Sequence, residues 1–134
     1  MNKQFIISVV VLFVLTLALG IGVHGVLLQA DYAALPNLMR PEAEAMSLMH
    51  FQLLAHLVLA IGLTWVYRMG HDPAKAWAGQ GARFGIGVAM ISVIPLFMIY
   101  YVVQPTPEAL AIKQIVFETI SLVIVGMAAA FLNK

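Results

Sequence analysis

The sequence predicts an all-α integral membrane protein, an antiparallel up-down bundle of four transmembrane helices with both termini in the cytoplasm. Hydrophobic residues make up 63% of the 134 residues and charged residues only 10%, whereas about a quarter of the residues in a soluble protein are charged. Four apolar segments are long enough to cross a bilayer, which takes roughly 20 residues in a helix. Because the connections between them are short, we expect antiparallel neighbours and one domain, residues 1–134.

The four predicted spans follow one another with little sequence between them. They are Phe5–Leu28, Ala45–Tyr67, Phe84–Val103 and Ala109–Leu132. The first span follows Lys3 and resembles the apolar region of a secretory signal, but that region is usually only about 7 to 15 residues long. Since this segment is longer, we expect it to remain in the membrane.

The distribution of basic residues predicts the orientation. Arg40 and Lys113 fall on one side of the predicted bundle. The other basic residues fall on the opposite side: Lys3, Arg68, Lys75, Arg83 and Lys134. Because cytoplasmic segments carry the excess of Lys and Arg, we expect both termini in the cytoplasm and the chain in a bacterial inner membrane. The net charge of +1 is too small to indicate a nucleic-acid partner.

The three connections differ in character. The first, Gln29–Glu44, contains two prolines and is the largest outer feature. In the second, Asp72 followed by Pro73 is typical of a helix start and predicts a short helix at the inner membrane surface, with Trp77 at headgroup depth. The third, Gln104–Glu108, is a tight outer turn before a proline-started helix.

Small residues predict where the helices pack closely. In span three, small residues recur on one helical face; they are Gly81, Gly85, Ala89 and Ser92. Such ridges let membrane helices approach one another. Gly20 in span one and Gly126 in span four are assigned to helix packing for the same reason. Pro95 is expected to kink the outer half of span three.

Polar side chains from all four spans are predicted to meet in one layer in the outer half of the membrane. The layer comprises His24, Gln52, His56, Tyr100, Gln114, Glu118 and Ser121. Helical spacing places the three residues of span four on one face, and Gln52 with His56 on one face of span two. His50 lies about 120° around the helix from His56. We therefore expect His50 between helices or near the membrane interface.

Three functions are compatible with this layer. In the first, the polar side chains hydrogen-bond one another and hold the helices together in a non-enzymatic accessory or scaffold subunit of a larger membrane complex or homo-oligomer. In the second, His24 with His50 or His56 binds haem b or a transition metal, because neutral imidazole is a common metal ligand. In the third, Glu118 exchanges protons with His24 or His56 in a small proton-coupled transporter, since ionisable groups inside a membrane are costly and often functional.

The accessory or scaffold subunit is the leading hypothesis. The chain has almost no extramembrane surface with which to act alone, and its expected partners are the lipid bilayer and other membrane subunits or further copies of itself. The sequence contains no phosphate-binding glycine loop and no recognisable nucleophile and base pair. The absence of cysteine excludes thiolate chemistry. We therefore do not expect an enzyme.

Overall fold

The computed structural model describes residues 2–134, and within this range its regular structure is entirely helical. A π-helical segment, Ile21–Leu27, directly follows the first α-helix. The α-helices are α1 (Lys3–Gly20), α2 (Gln29–Ala33), α3 (Glu42–Ser47), α4 (Met49–Gly70), α5 (Trp77–Ile91), α6 (Val93–Val103) and α7 (Glu108–Leu132).

Four of the helical runs are long and apolar enough to cross a membrane. They are Lys3–Leu27, Met49–Gly70, Trp77–Val103 and Glu108–Leu132. This confirms the all-α class and the four candidate spans. The second run begins at Met49 rather than at Ala45, because the chain leaves regular helical geometry at Leu48, with φ −99° and ψ 4°, after the separate helix α3.

The prediction of a short surface helix after Asp72 is wrong, because the residues from Asp72 to Ala76 form a turn. The Ala74 N–H donates to Asp72 Oδ1 at 3.0 Å. Gln80 of α5 reaches back to the same turn, where its Nε2 donates to the Asp72 carbonyl and its Oε1 accepts from the Asp72 N–H, both at 2.8 Å. Trp77 therefore begins a helix that continues into the third candidate span, well before the predicted start at Phe84.

Helices α5 and α7 pack closely against each other at three glycines, Gly81, Gly85 and Gly126. A Cβ at Gly85 would lie 2.4 Å from the Leu122 carbonyl oxygen, and a Cβ at Gly126 would lie 2.4 Å from the Gly81 carbonyl oxygen. Neither distance leaves room for any side chain, so the two backbones touch. Gly81 faces Met127 whereas Gly85 faces residues nearer the start of α7, and the two helices therefore run in opposite directions.

The other small residues of span three continue this face towards a break in the helix. Ala89 is fully buried, and the Ser92 hydroxyl donates to the Val88 carbonyl at 2.6 Å. The helix is interrupted at Ser92, with φ −124° and ψ −88°. Pro95 lacks an N–H and its ring crowds the carbonyl four residues earlier, that of Ile91, which explains why the break lies here.

Helix α7 is the central helix, because it packs against α1, α4, α5 and α6. The apolar core includes seven residues of α1, α4 and α7: Leu12, Ala60, Leu63, Tyr67, Val125, Ala129 and Ala130. At one end, Gln4 Nε2 donates to the Leu132 carbonyl at 2.8 Å and Asn133 Nδ2 donates to Ser8 Oγ at 3.1 Å. The start of α1 therefore lies beside the end of α7, which leaves the π-helical segment beside the first half of α7.

Candidate functional site

The π-helical segment Ile21–Leu27 carries His24. The Leu28 N–H donates to the Val23 carbonyl at 2.8 Å, five residues back rather than four. Gly22 and Gly25 lie within the segment, and glycine favours the α-helix less than alanine does by about 1 kcal/mol. Local preference for the regular helix is therefore weak here, and π-helical turns in other proteins are frequent at functional sites.

His24 uses both of its ring nitrogens in hydrogen bonds to other elements. Its Nε2 lies 2.8 Å from Glu118 Oε1 of α7, and its Nδ1 lies 2.7 Å from the Tyr32 hydroxyl of α2. Gln114 Nε2 of α7 donates to the same hydroxyl at 3.1 Å. We call these four residues the His24 network. Three elements are thus joined through one imidazole ring.

One protonation state satisfies every hydrogen bond of the His24 network. With Glu118 ionised, the His24 Nε2–H donates to the carboxylate, and the unprotonated Nδ1 accepts from the Tyr32 hydroxyl. The Tyr32 oxygen then accepts from Gln114. Adding one proton to Nδ1 converts it from acceptor to donor, and the Tyr32 hydroxyl must then turn its own hydrogen towards another acceptor.

Tyr32 reaches His24 because the chain folds back after the π-helical segment. Lys113 Nζ donates to both carboxylate oxygens of Asp31, at 2.8 and 3.0 Å, and so attaches α2 to α7. Tyr32 also packs against the buried side chains of Leu28 and Leu110. Burial raises the pKa of the Tyr32 phenol above its usual value, which keeps the hydroxyl protonated at neutral pH.

Sequence reasoning missed Tyr32, Asp31 and the role of Lys113 in the site. All of the first connection was assigned to an outer loop, since it shows no helical periodicity that would place a side chain inward. The only signal was the pairing of opposite charges at Asp31 and Lys113, which lie 82 positions apart. Nothing in the local sequence indicates that two such distant charges meet.

Two cavities adjoin the His24 network. The inner cavity, of about 360 Å³, lies between α1, the π-helical segment, α4 and α7, and Glu118 and His56 line it. The outer cavity, of about 300 Å³, is lined by Tyr32, Tyr100 and Gln114. His24 lines both cavities. His24 and Met39 therefore lie at the boundary of the two spaces, and the imidazole contacts each of them.

The remaining residues of the predicted polar layer border these cavities without joining the hydrogen-bond network. His56 packs beside Gly20, where an added Cβ would lie 3.4 Å from His56 Cε1, and its Nδ1 is buried without a hydrogen-bond partner in the described chain. Ser121 is buried at the inner cavity, whereas Gln52 lines that cavity but is exposed. Tyr100 lines the outer cavity and stacks edge-on with Phe97.

The arrangement of the donor groups gives the haem or metal interpretation no support, although His24 and His56 both line the inner cavity. Both nitrogens of His24 are occupied, so ligation would require one hydrogen bond of the network to break. His50 is exposed, lies against Phe51, and lines neither cavity. Within residues 2–134, no three His, Cys, Asp or Glu side chains come together as a metal site. The hydrogen bonds of His24, rather than ligation by its ring nitrogens, are therefore the feature of this site that points to a function.

The fold and the site define an all-helical, membrane-associated protein with a hydrogen-bonded histidine and glutamate pair inside its candidate spans. Comparisons of the chain with protein-family models, with curated proteins and with solved structures found no match. The function is therefore argued from the chemistry of the site.

Proposed function

We propose that the chain is a small proton-coupled transporter of the bacterial inner membrane, in which Glu118 and His24 exchange protons between the outer and inner cavities. The observation that carries the proposal is the His24–Glu118 hydrogen bond of 2.8 Å, formed between two candidate membrane spans at the boundary of the two cavities. Ionisable groups at such depth are costly, which favours a functional role over a purely structural one.

The helices form an up-down bundle with both termini in the cytoplasm in this proposal. The contacts support antiparallel neighbours, because the start of α1 meets the end of α7 and Gly81 of α5 meets Met127 of α7. The basic residues support the orientation, since the end that carries Arg68, Lys75 and Arg83 is richer in positive charge than the end that carries Arg40. The outer cavity then faces the periplasm.

The hydrogen bonds give the transfer a direct sequence of steps. A proton from the outer cavity binds His24 Nδ1, and the Tyr32 hydroxyl turns its hydrogen into that cavity. The imidazolium passes its Nε2 proton to Glu118 Oε1, 2.8 Å away, and the neutral carboxyl group releases it into the inner cavity. Reorientation of the whole His24 side chain then aims the remaining Nδ1–H at the ionised Glu118 and completes the cycle. His56 is the next titratable side chain on the inner cavity wall.

The charges around the inner cavity favour a proton or another cation over an anion. Glu118 is the acidic residue of its lining, and no Lys or Arg side chain of the described chain lines it. The rest of the lining combines leucine, valine and methionine side chains with two histidines, two hydroxyl groups and one amide. An anionic substrate would lie beside the Glu118 carboxylate, with only the two histidines of the lining, His24 and His56, able to carry a compensating positive charge.

Proton flux into liposomes tests the proposal. Purified protein is reconstituted with an internal pH-sensitive dye, and an imposed potential drives the flux. We expect Glu118→Gln to lower the flux by at least about tenfold, because the amide keeps the size of the carboxyl group but cannot take up the proton. Glu108→Gln is the matched control, because Glu108 is an exposed carboxylate at the start of the same helix. Equal flux in the two variants would exclude the relay.

We propose an accessory or scaffold role as the second candidate, on the basis of helix α4. Gln52 is exposed within the apolar run Met49–Gly70 although it lines the inner cavity, and an amide at membrane depth needs a hydrogen-bond partner. A helix of another subunit or a second copy of this chain would satisfy it, with about 0.6 to 2 kcal/mol per bond. Native mass spectrometry of gently extracted membranes tests this role, and recovery of a partner-free monomer would count against it. Neither candidate requires enzymatic activity.

A further inference from the structure

The end of the molecule away from the His24 network carries a basic groove. Two adjoining cavities of about 310 and 220 Å³ lie between the end of α4 and the start of α5. Both are lined by Tyr67, His71, Asp72, Lys75 and Gln80, while Arg83 lines the first and Lys134 the second. We call the two cavities together the basic groove. It lies at the end of the molecule where α1 begins and α7 ends, since Lys134 lines it and Gln4 bonds to Leu132 there.

The groove has more positive than negative charge. Asp72 pairs with Lys75, whose Nζ lies 3.2 Å from Asp72 Oδ2. The hydrogen bond from the Ala74 N–H holds the pKa of Asp72 below its usual value, so this carboxylate is ionised at neutral pH and balances one cation. Arg83 is exposed and forms no ion pair with any residue in the range 2–134. Its guanidinium offers a planar set of donors suited to a phosphate group.

The walls of the groove are divided between polar and apolar surfaces. Val66 and Phe84 line the cavity that contains Arg83. Val66 belongs to the second candidate span, and its side chain is 52% exposed. Trp77 lines the neighbouring cavity and is the kind of residue that lies at headgroup depth. Free phosphate would use only the basic part, whereas a phospholipid would place its phosphate on the cations and an acyl chain along the apolar wall.

We propose that the basic groove binds an anionic phospholipid, with the headgroup phosphate on Arg83 and Lys75 and an acyl chain along Val66 and Phe84. Basic pockets between membrane helices on the cytoplasmic side bind anionic headgroups in other membrane proteins. This site is independent of proton exchange at Glu118, because no residue of the groove belongs to the His24 network or lines the inner or outer cavity. Either proposal can therefore fail without the other.

Lipid binding is tested with the full chain and defined lipids. Purified protein is titrated with phosphatidylglycerol and, separately, with phosphatidylcholine, and bound lipid is counted by native mass spectrometry. We expect phosphatidylglycerol to bind more tightly and to raise the Tm. Arg83→Gln should weaken its binding roughly fivefold, and adding Lys75→Gln should weaken it by about the same factor again, since each basic residue near an anionic lipid contributes about 1 kcal/mol.

The controls separate lipid recognition from folding and from free phosphate. Arg40→Gln removes a basic residue at the other end of the molecule, where Arg40 pairs with Glu44, and should leave phosphatidylglycerol binding unchanged. The Tm of each variant in phosphatidylcholine shows that the fold is retained. Equal binding of phosphatidylglycerol by wild type and the double variant would overturn the proposal. A Tm rise with inorganic phosphate as large as that with phosphatidylglycerol would overturn the assignment to a lipid.

Discussion

His24 and Tyr32 depend on each other more closely than their places in the sequence indicate. When Glu118 is ionised, its carboxylate can only accept, so Nε2 of His24 carries the proton and the Tyr32 hydroxyl donates to the unprotonated Nδ1. A histidine whose tautomer is fixed presents one defined donor to its carboxylate partner. The hydroxyl thus acts on Glu118 through the imidazole, without touching the carboxyl group.

We predict that Tyr32→Phe slows proton transfer while leaving the helices folded. Loss of the two hydrogen bonds of the Tyr32 hydroxyl should lower the free energy of unfolding by about 1 to 3 kcal/mol, and the proton flux should fall severalfold because His24 Nδ1 loses its donor. Flux and Tm measured on the same preparation check both effects. Tyr101→Phe is the control, since Tyr101 is an exposed tyrosine of α6. Flux at the wild-type level in Tyr32→Phe would show that Tyr32 only supports the loop.

At this scale, the sequence predicts the polar face of α7 but not the partner of each residue. Helical spacing puts Gln114, Glu118 and Ser121 on one face, and the first two join the network while Ser121 lines the inner cavity with His24. His24 and His50 are predicted to lie at similar depth in the membrane, but His50 lines neither cavity. Residues at equal depth can lie on different faces of their helices. Tyr32 joins the network because the chain turns back after the π-helical segment, and no local sequence pattern predicts that turn.

At the scale of elements, the glycine contact sets how α5 and α7 pack. Small residues spaced by about four positions indicate that a helix can approach another closely, but the ridge of span three does not say which helix. The partner is α7, and the contact depends on Gly126 as much as on Gly81 and Gly85. The sequence therefore predicts which face of α5 packs closely. It does not predict that α7 is the partner, because that depends on the shapes of both helices.

We predict that Gly85→Ala destabilises the protein and that Gly87→Ala does not. A Cβ at Gly85 would lie 2.4 Å from the Leu122 carbonyl oxygen, whereas a Cβ at Gly87 meets nothing within 4 Å. The helices must separate to admit the methyl group at Gly85, which should cost roughly 1 to 3 kcal/mol. Thermal unfolding of the two variants in one detergent compares them directly. Equal Tm values would mean that the two helices do not touch at Gly85 in solution.

At the scale of the whole molecule, composition and length give the number of spans, because each span must satisfy its own backbone inside the lipid. Their packing order does not follow from composition. That α7 contacts the other three spans depends on details such as Gly126 and the ties from Gln4 to Leu132. The break at Ser92 follows from Pro95, whereas the early start of α5 depends on the bonds between Gln80 and Asp72.

We predict that the first connection faces the periplasm and the second faces the cytoplasm. The chain contains no cysteine, so a single introduced thiol reports its own side of the membrane. In intact cells, a membrane-impermeant maleimide should label Asn37→Cys and should label Ala74→Cys only after lysis; both positions are exposed. The reverse pattern would invert the orientation and place the basic groove on the periplasmic side.

The central place of α7 also has a consequence for assembly. Helices insert as the chain is made, from the N-terminal side onwards, and α7 follows all the other described spans while packing against each of them. Until it arrives, His24 has no carboxylate partner and the glycine face of α5 is open to lipid. The nascent protein therefore passes through a stage in which its least lipid-compatible surfaces are uncovered, and chaperones and membrane proteases would have access to it then.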